Sequence, residues 1–125
     1  APSYDSANSI LSLGIHTLWK KKLVNRSGVK SGDVVLDCAT GTGDVAILFK
    51  QKVGPTGKVI ATDFCKDILD FGPPKAQKLN LDIQFEVADA TQLPYPDNHF
   101  DATSISFGIR NVGQLSKALS ELARV

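Results

Sequence analysis

Val34-Val35-Leu36-Asp37-Cys38-Ala39-Thr40-Gly41-Thr42-Gly43-Asp44 decides the fold. Four residues of a buried strand run into a glycine turn, and the turn opens a helix at Asp44. A second apolar run, Val59 to Thr62, ends at Asp63, about twenty residues past the last glycine of the turn. Strand, glycine turn, helix, strand and terminal acid together build a pocket for a nucleoside with a ribose diol. Two further acids, Asp37 and Asp44, bracket the glycines. They would repel a pyrophosphate and suit a ligand that carries positive charge.

The rest of the chain continues the alternation. The first 25 residues are helical in pattern, with Ile10, Leu11, Ile15, Leu18, Trp19 and Leu23 at helical spacing and a break at Gly14. Ser27-Gly28 and Ser31-Gly32-Asp33 turn the chain into the first strand. A helix from Asp44 carries Val45, Leu48, Phe49 and Val53 and stops at Gly54-Pro55. After the second strand a short helix from Lys66 to Phe71 is cut by Gly72-Pro73-Pro74, and Lys75 to Leu79 resumes as one turn. Ile83 to Val87 alternates as a third strand with Asp89 just beyond it. A proline-rich loop, Leu93-Pro94-Tyr95-Pro96-Asp97-Asn98, precedes a fourth strand from Ala102 to Phe107. The last helix shows a stripe of Leu115, Ala118, Leu119, Leu122 and Val125.

Strands alternating with helices predict an α/β fold, a Rossmann-like three-layer α/β/α sandwich around a parallel sheet of order 3-2-1-4. We read residues 1–125 as one domain, with an N-terminal helical segment over 1–30 and a βα core over 33–125. In that order the fourth strand is an unpaired edge, and its Ile105-Ser106-Phe107 run predicts a homo-oligomer through the sheet edge.

Composition narrows the function. The chain has 125 residues, 42% of them hydrophobic, and a net charge of +1. No basic stripe stands out, which argues against nucleic acid as partner. Lys20-Lys21-Lys22 reads as a solvated helix face. Cys38 and Cys65 sit inside or just after buried strands and read as buried free thiols; two cysteines make no zinc site, and no metal is expected. With no apolar run near the length of a membrane span and no signal peptide pattern, the expectation is a cytoplasmic protein.

Two cofactors compete for the turn. Gly41-x-Gly43-x-x-Ala46 satisfies the dinucleotide fingerprint, with Asp63 in place for NAD. A pyrophosphate would then rest on a helix N-terminus whose first turn holds Asp44, and the charges oppose. S-adenosylmethionine has no phosphate and carries a sulfonium and an amine. Asp37 and Asp44 attract its cationic side, Gly41 and Gly43 let the backbone approach, and Asp63 takes the ribose diol. Asp89 can accept from the adenine amino group while Ala90 offers its N–H. We therefore read S-adenosylmethionine as the cofactor.

Four segments resemble the ubiquinone/menaquinone biosynthesis C-methyltransferases, a family within the class I methyltransferases. They are Tyr4-Asp5-Ser6-Ala7-Asn8 with Leu13-Gly14-Ile15-His16-Thr17-Leu18-Trp19-Lys20; Leu36 to Asp44; Leu93 to Asn98; and Ile105-Ser106-Phe107-Gly108-Ile109-Arg110-Asn111-Val112. The second is shared across methyltransferases, whereas the first and last are the family's own marks. The resemblance runs the length of the chain but over the first part of the family's length, so a truncated sheet is expected. Gly72-Pro73-Pro74 stands where the family runs a continuous helix, and Thr17 where arginine is common.

The resemblance implies methylation of a ring carbon of a polyprenylated quinol, such as demethylmenaquinol or a ubiquinol precursor, with peripheral membrane contact for access to it. It implies that Thr42, Asp63, Asp89, Ala90 and Ser106 touch the cofactor. Arg110 and Asn111 would orient the quinol or a water that takes its proton, and Tyr4 and Asp44 would close the site from the other side. Arginine stays charged, so Arg110 is expected to steady a phenolate or place water rather than act as a base. An alternative is a half-domain that binds the cofactor, dimerises and transfers nothing.

Overall fold

The computed structural model describes residues 11–12, 17–106 and 112–125. Its elements are β1 (Leu11–Ser12), α1 (Thr17–Arg26), β2 (Val34–Cys38), α2 (Asp44–Val53), β3 (Lys58–Asp63), α3 (Lys66–Leu69), α4 (Gly72–Lys78), β4 (Gln84–Val87), β5 (Ala102–Ser106) and α5 (Val112–Arg124). The strands form one parallel sheet in the order β1-β5-β2-β3-β4. Counted from Val34, the four principal strands stand in the expected order 3-2-1-4.

Each face of the sheet carries its own core. On one face Val35, Val59, Ala61 and Ala102 pack against Val24 of α1, Val45, Ala46, Phe49 and Val53 of α2, and Ala76 of α4. On the other, Leu36, Cys38, Ile60 and Ile105 pack against Leu93 and Phe100, against Ala118 and Leu122 of α5, and against Val125 just past its end. Because both faces are covered, β2 reads as a near-continuous apolar run rather than an alternating one. Completely buried side chains such as Phe49 and Leu122 each contribute about 2–3 kcal/mol of burial free energy.

Helix α2 ends where the sequence stops it. Gly54 adopts φ 71° and its N–H returns to the Lys50 carbonyl at 3.0 Å. Lys50 is itself buried, and its ammonium donates to the carbonyls of Gly54 (3.1 Å) and Gly57 (2.7 Å). A cavity of about 710 Å³ beside it, at the amino ends of β3 and β4, is lined in part by these capping groups and in part by Asn80, Leu81 and Asp82.

Four expectations need correction. The fourth strand is not a wholly unpaired edge: Leu11 and Ser12 pair with Ile105 and Ser106 on its outer side. A two-residue pairing is too short to leave a period in the sequence, so the stretch before Gly14 read as helix; the helix described there is Thr17–Arg26. The helix from Lys66 does end before Gly72-Pro73-Pro74, at Leu69, but the next helix begins at Gly72 and not at Lys75, with the prolines in its first turn where a missing N–H costs nothing. Cys65 is exposed, because β3 has already ended at Asp63 and the chain has turned outward. Phe107, expected to close the fourth strand, lies outside the described residues.

Candidate functional site

The carboxyl ends of β2 and β3 bring half of the expected residues together. The chain leaves β2 through three left-handed residues, Ala39 (φ 52°), Gly41 (φ 61°) and Gly43 (φ 92°). A left-handed alanine is strained, by an amount on the order of 1 kcal/mol, and no sequence signal announced it. Hydrogen bonds hold the path. Thr40 N–H donates to the Thr62 carbonyl at 2.9 Å, Gly43 N–H to the Thr40 carbonyl at 3.0 Å, and Ile47 N–H to the Gly43 carbonyl at 2.9 Å. A Cβ on Gly41 would meet nothing within 4 Å, so the backbone there faces open space.

Asp37 lies behind this turn, fully buried. It accepts from the Thr40 hydroxyl at 2.6 Å and from the Ser104 hydroxyl, its neighbour in register on β5, at 2.7 Å. Its carboxyl thereby ties the turn to two strands. Asp63, at the tip of β3 and partly exposed, accepts from Gly41 N–H and from Cys65 N–H, both at 2.9 Å. Each carboxylate oxygen has two acceptor positions, so the group that anchors the turn can also receive a diol. Thr42 and Asp44 project from the turn and the first residue of α2, and both meet the ammonium of Lys75.

Strand β4 ends beside β3, with Val87 opposite Asp63. Two residues on, the exposed Asp89 accepts from Thr91 N–H (2.9 Å) and the Thr91 hydroxyl (2.7 Å). The Thr91 hydroxyl, then the Thr91 N–H, hold the Asp89 carboxyl below its ordinary range, so it stays an acceptor at neutral pH. Ala90 follows, half-buried. Ser106 closes β5 in register with Ser12. Tyr4, Arg110 and Asn111 lie outside the described residues.

Two aromatic residues belong to this site that the sequence reading passed over. Phe64 is 77% exposed immediately after Asp63, an apolar ring beside that carboxylate. An aromatic directly following the strand-tip acid was the available signal. Phe85 of β4 supports the turn from beneath: a Cβ on Gly43 would lie 3.2 Å from its ring. Burial pushes the Cys38 thiol up to about 12, so this cysteine stays protonated as part of the core. Among the described residues no group of three or more histidine, cysteine or acidic side chains could hold a metal ion. None of their helices is long and apolar enough to cross a membrane.

The arrangement offers a turn with open space above Gly41, a diol acceptor at Asp63, a polar acceptor at Asp89, an exposed ring at Phe64 and an acid at Asp44. Such a set fits an adenosine with a cationic tail better than a dinucleotide, whose pyrophosphate would meet Asp44.

The model of the ubiE/COQ5 methyltransferase family matches residues 1–125. The ubiquinone/menaquinone biosynthesis C-methyltransferase UbiE of Bdellovibrio bacteriovorus is 63% identical over 125 residues, covering 100% of this chain and 53% of that protein. The chain spans about half the length of the curated relatives it matches. Among solved structures, a SAM-dependent methyltransferase from Aquifex aeolicus superposes with a TM-score of 0.72 at 30% identity, over 84% of this chain and 56% of that one. The [4+2]-cyclase SpnF superposes with a TM-score of 0.67 at 24% identity, over 83% of this chain and 39% of that one. With a cyclase and a methyltransferase on one fold, the fold alone does not name the reaction.

Proposed function

The chain belongs to the ubiE/COQ5 methyltransferase family, and on that premise we propose that it carries the S-adenosylmethionine site of an enzyme that methylates a ring carbon of a polyprenylated quinol. The observation that supports this most is the Asp63 carboxyl bonded to Gly41 N–H across an open turn whose flanking acid is Asp44. When bound, S-adenosylmethionine supplies an electrophilic methyl group.

The protein's part is to hold and to orient. Asp63 receives the ribose hydroxyls, and the Gly41–Gly43 backbone lies alongside the ligand with no side chain in between. Phe64 and Asp89 take the face and the amino edge of the adenine, with Ala90 N–H beside them. Asp37 acts from behind, keeping Thr40 and the turn in place. Asp44 and Thr42 lie toward the charged tail. Fixing two reacting carbons in contact is the largest catalytic effect such a site can exert. Arg110 and Asn111, which follow β5 in the sequence, orient the quinol ring. Arg110 steadies the developing phenolate while a water it places takes the ring proton. Ser106 and Tyr4 complete the enclosure.

Calorimetric titration tests the cofactor, and a methyl-transfer assay on a short-chain demethylmenaquinol tests the reaction. The expected result is binding of S-adenosylmethionine, none of NAD, and a methylated ring. Binding of NAD in preference, or of neither ligand, overturns the cofactor assignment. Binding without transfer confines the chain to cofactor binding and removes the quinol.

A further inference from the structure

Lys75 stands in the first turn of α4, 31 residues beyond Asp44 and 33 beyond Thr42, yet its ammonium closes on both. It donates to the Thr42 hydroxyl at 3.0 Å and forms an ion pair with the Asp44 carboxylate. The Lys75 and Asp44 side chains are 40% and 47% exposed, so the pair lies at the mouth of the turn rather than in the core. Packing brings the two elements within the lysine's reach. A Cβ on Gly72 would lie 2.3 Å from the Phe85 ring, which also touches the position a Cβ would take on Gly43. One ring therefore seats the start of α4 and the glycine turn against each other, with Lys75 over the turn as the consequence.

Asp44 is the exposed acid that favours a cationic ligand at this turn, and an ammonium held on it cancels part of that field. We propose that Lys75 is a specificity-determining residue. By offsetting Asp44, it sets how strongly the site prefers the sulfonium cofactor to the neutral thioether that remains after the methyl is lost. The inference rests on the S-adenosylmethionine reading of the site. The two ligands share adenosine, amine and carboxylate, so every contact they have in common drops out of the ratio of their affinities. What remains is the response to one positive charge, which Asp44 raises and Lys75 lowers. Lys75 acts through Asp44 and is a positioning residue, not a catalytic one.

The test is calorimetric titration of S-adenosylmethionine and S-adenosylhomocysteine into the wild-type chain and into Lys75→Gln, Lys75→Arg, Asp44→Asn and the Lys75→Gln/Asp44→Asn double variant. For half-exposed charges several ångströms apart, Lys75→Gln should widen the affinity ratio in favour of the sulfonium by about threefold to tenfold at low salt. Lys75→Arg should restore the ratio, high salt should narrow the widened one, and in the Asp44→Asn background, where nothing holds the ammonium at the turn, Lys75→Gln should shift it less. Equal weakening of both ligands, an unmoved ratio, or a shift undiminished without Asp44 overturns the proposal and reduces Lys75 to a prop. A wild-type chain that binds neither ligand fails the underlying site reading instead. Should Lys75→Gln unfold, Lys75→Met removes the same charge and carries the same expectation.

Discussion

The glycine turn and the proline-rich loop both lie among the segments that resemble the family, and the structure uses them in opposite ways. In the loop, Arg124 of α5 donates to the carbonyls of Leu93 (3.1 Å) and Tyr95 (2.9 Å) and to Asp97 (2.7 Å), and its Nε meets Glu121 at 2.6 Å. Glu121 in turn accepts from Leu93 N–H at 2.8 Å, and the Phe100 N–H closes on the Val125 carbonyl at 2.8 Å. Polar groups there are spent on each other, and the result is a fastening between loop and helix. In the turn, left-handed backbone, a partly exposed Asp63 and open space above Gly41 leave acceptor positions facing outward. Both stretches resemble the family, and only the turn leaves polar groups open to a ligand.

The comparison breaks most readily at Asp63. Asp63→Ala removes the diol acceptor and the anchor of Gly41 N–H together. Two charge-assisted hydrogen bonds are worth about 3 kcal/mol, so affinity for S-adenosylmethionine should fall about a hundredfold. Titration calorimetry reads this directly, and full affinity in the variant would put the diol elsewhere. Gly72→Ala should come next. Its Cβ would stand 2.3 Å from Phe85, and overpacking of this kind costs about 2 kcal/mol in chemical denaturation. Phe85→Leu should recover much of that loss, because the clash is with the ring. If Gly72→Ala is neutral, the turn and α4 are not seated by one side chain.

The fastening responds to pH. The Arg124 guanidinium hydrogen-bonded to Glu121 holds that carboxyl below its ordinary 4.5. A depressed folded pKa gives stability that is whole above the unfolded value and is lost as pH falls through the folded one. Glu121→Gln should therefore cost about 1.5 kcal/mol at neutral pH. The gap from wild type should close as the pH is taken below the ordinary carboxyl value. A constant gap across that range would show that the charge on Glu121 contributes nothing.

How much of this the sequence disclosed follows from the range of each interaction. The four principal strands, their order and the acid at the tip of β3 were legible because local periodicity and short connections encode them. The paired use of Asp37 was not, since its partner Ser104 stands 67 residues away and reaches it only through sheet register. Lys75 over Asp44 was hidden for the same reason, and Gly72-Pro73-Pro74 read as a break because Phe85, the residue that needs the glycine, lies on another strand. The β1 pairing was hidden by its length. Phe64 was the exception: it sat in plain view beside Asp63, and only its exposure shows what it offers.

Tyr95 marks the boundary between the two regions and carries the smallest expected effect. Its ring packs edge-on against Phe100 at 5.2 Å between centroids, inside the fastening. Its hydroxyl reaches the other way, donating to Glu86 of β4, the strand whose Phe85 supports the turn. Burial, then the Glu86 hydrogen bond, raise the Tyr95 pKa, so the phenol remains a neutral donor throughout the physiological range. Tyr95→Phe keeps the ring and deletes the bond, at a cost of about 1 kcal/mol in thermal or chemical denaturation. Because β4 remains paired to β3 through Phe85 and Val87, affinity for S-adenosylmethionine should stay as it is. A variant that loses affinity along with stability would show the opposite: that the loop, though closed to ligands itself, holds β4 and through it the turn.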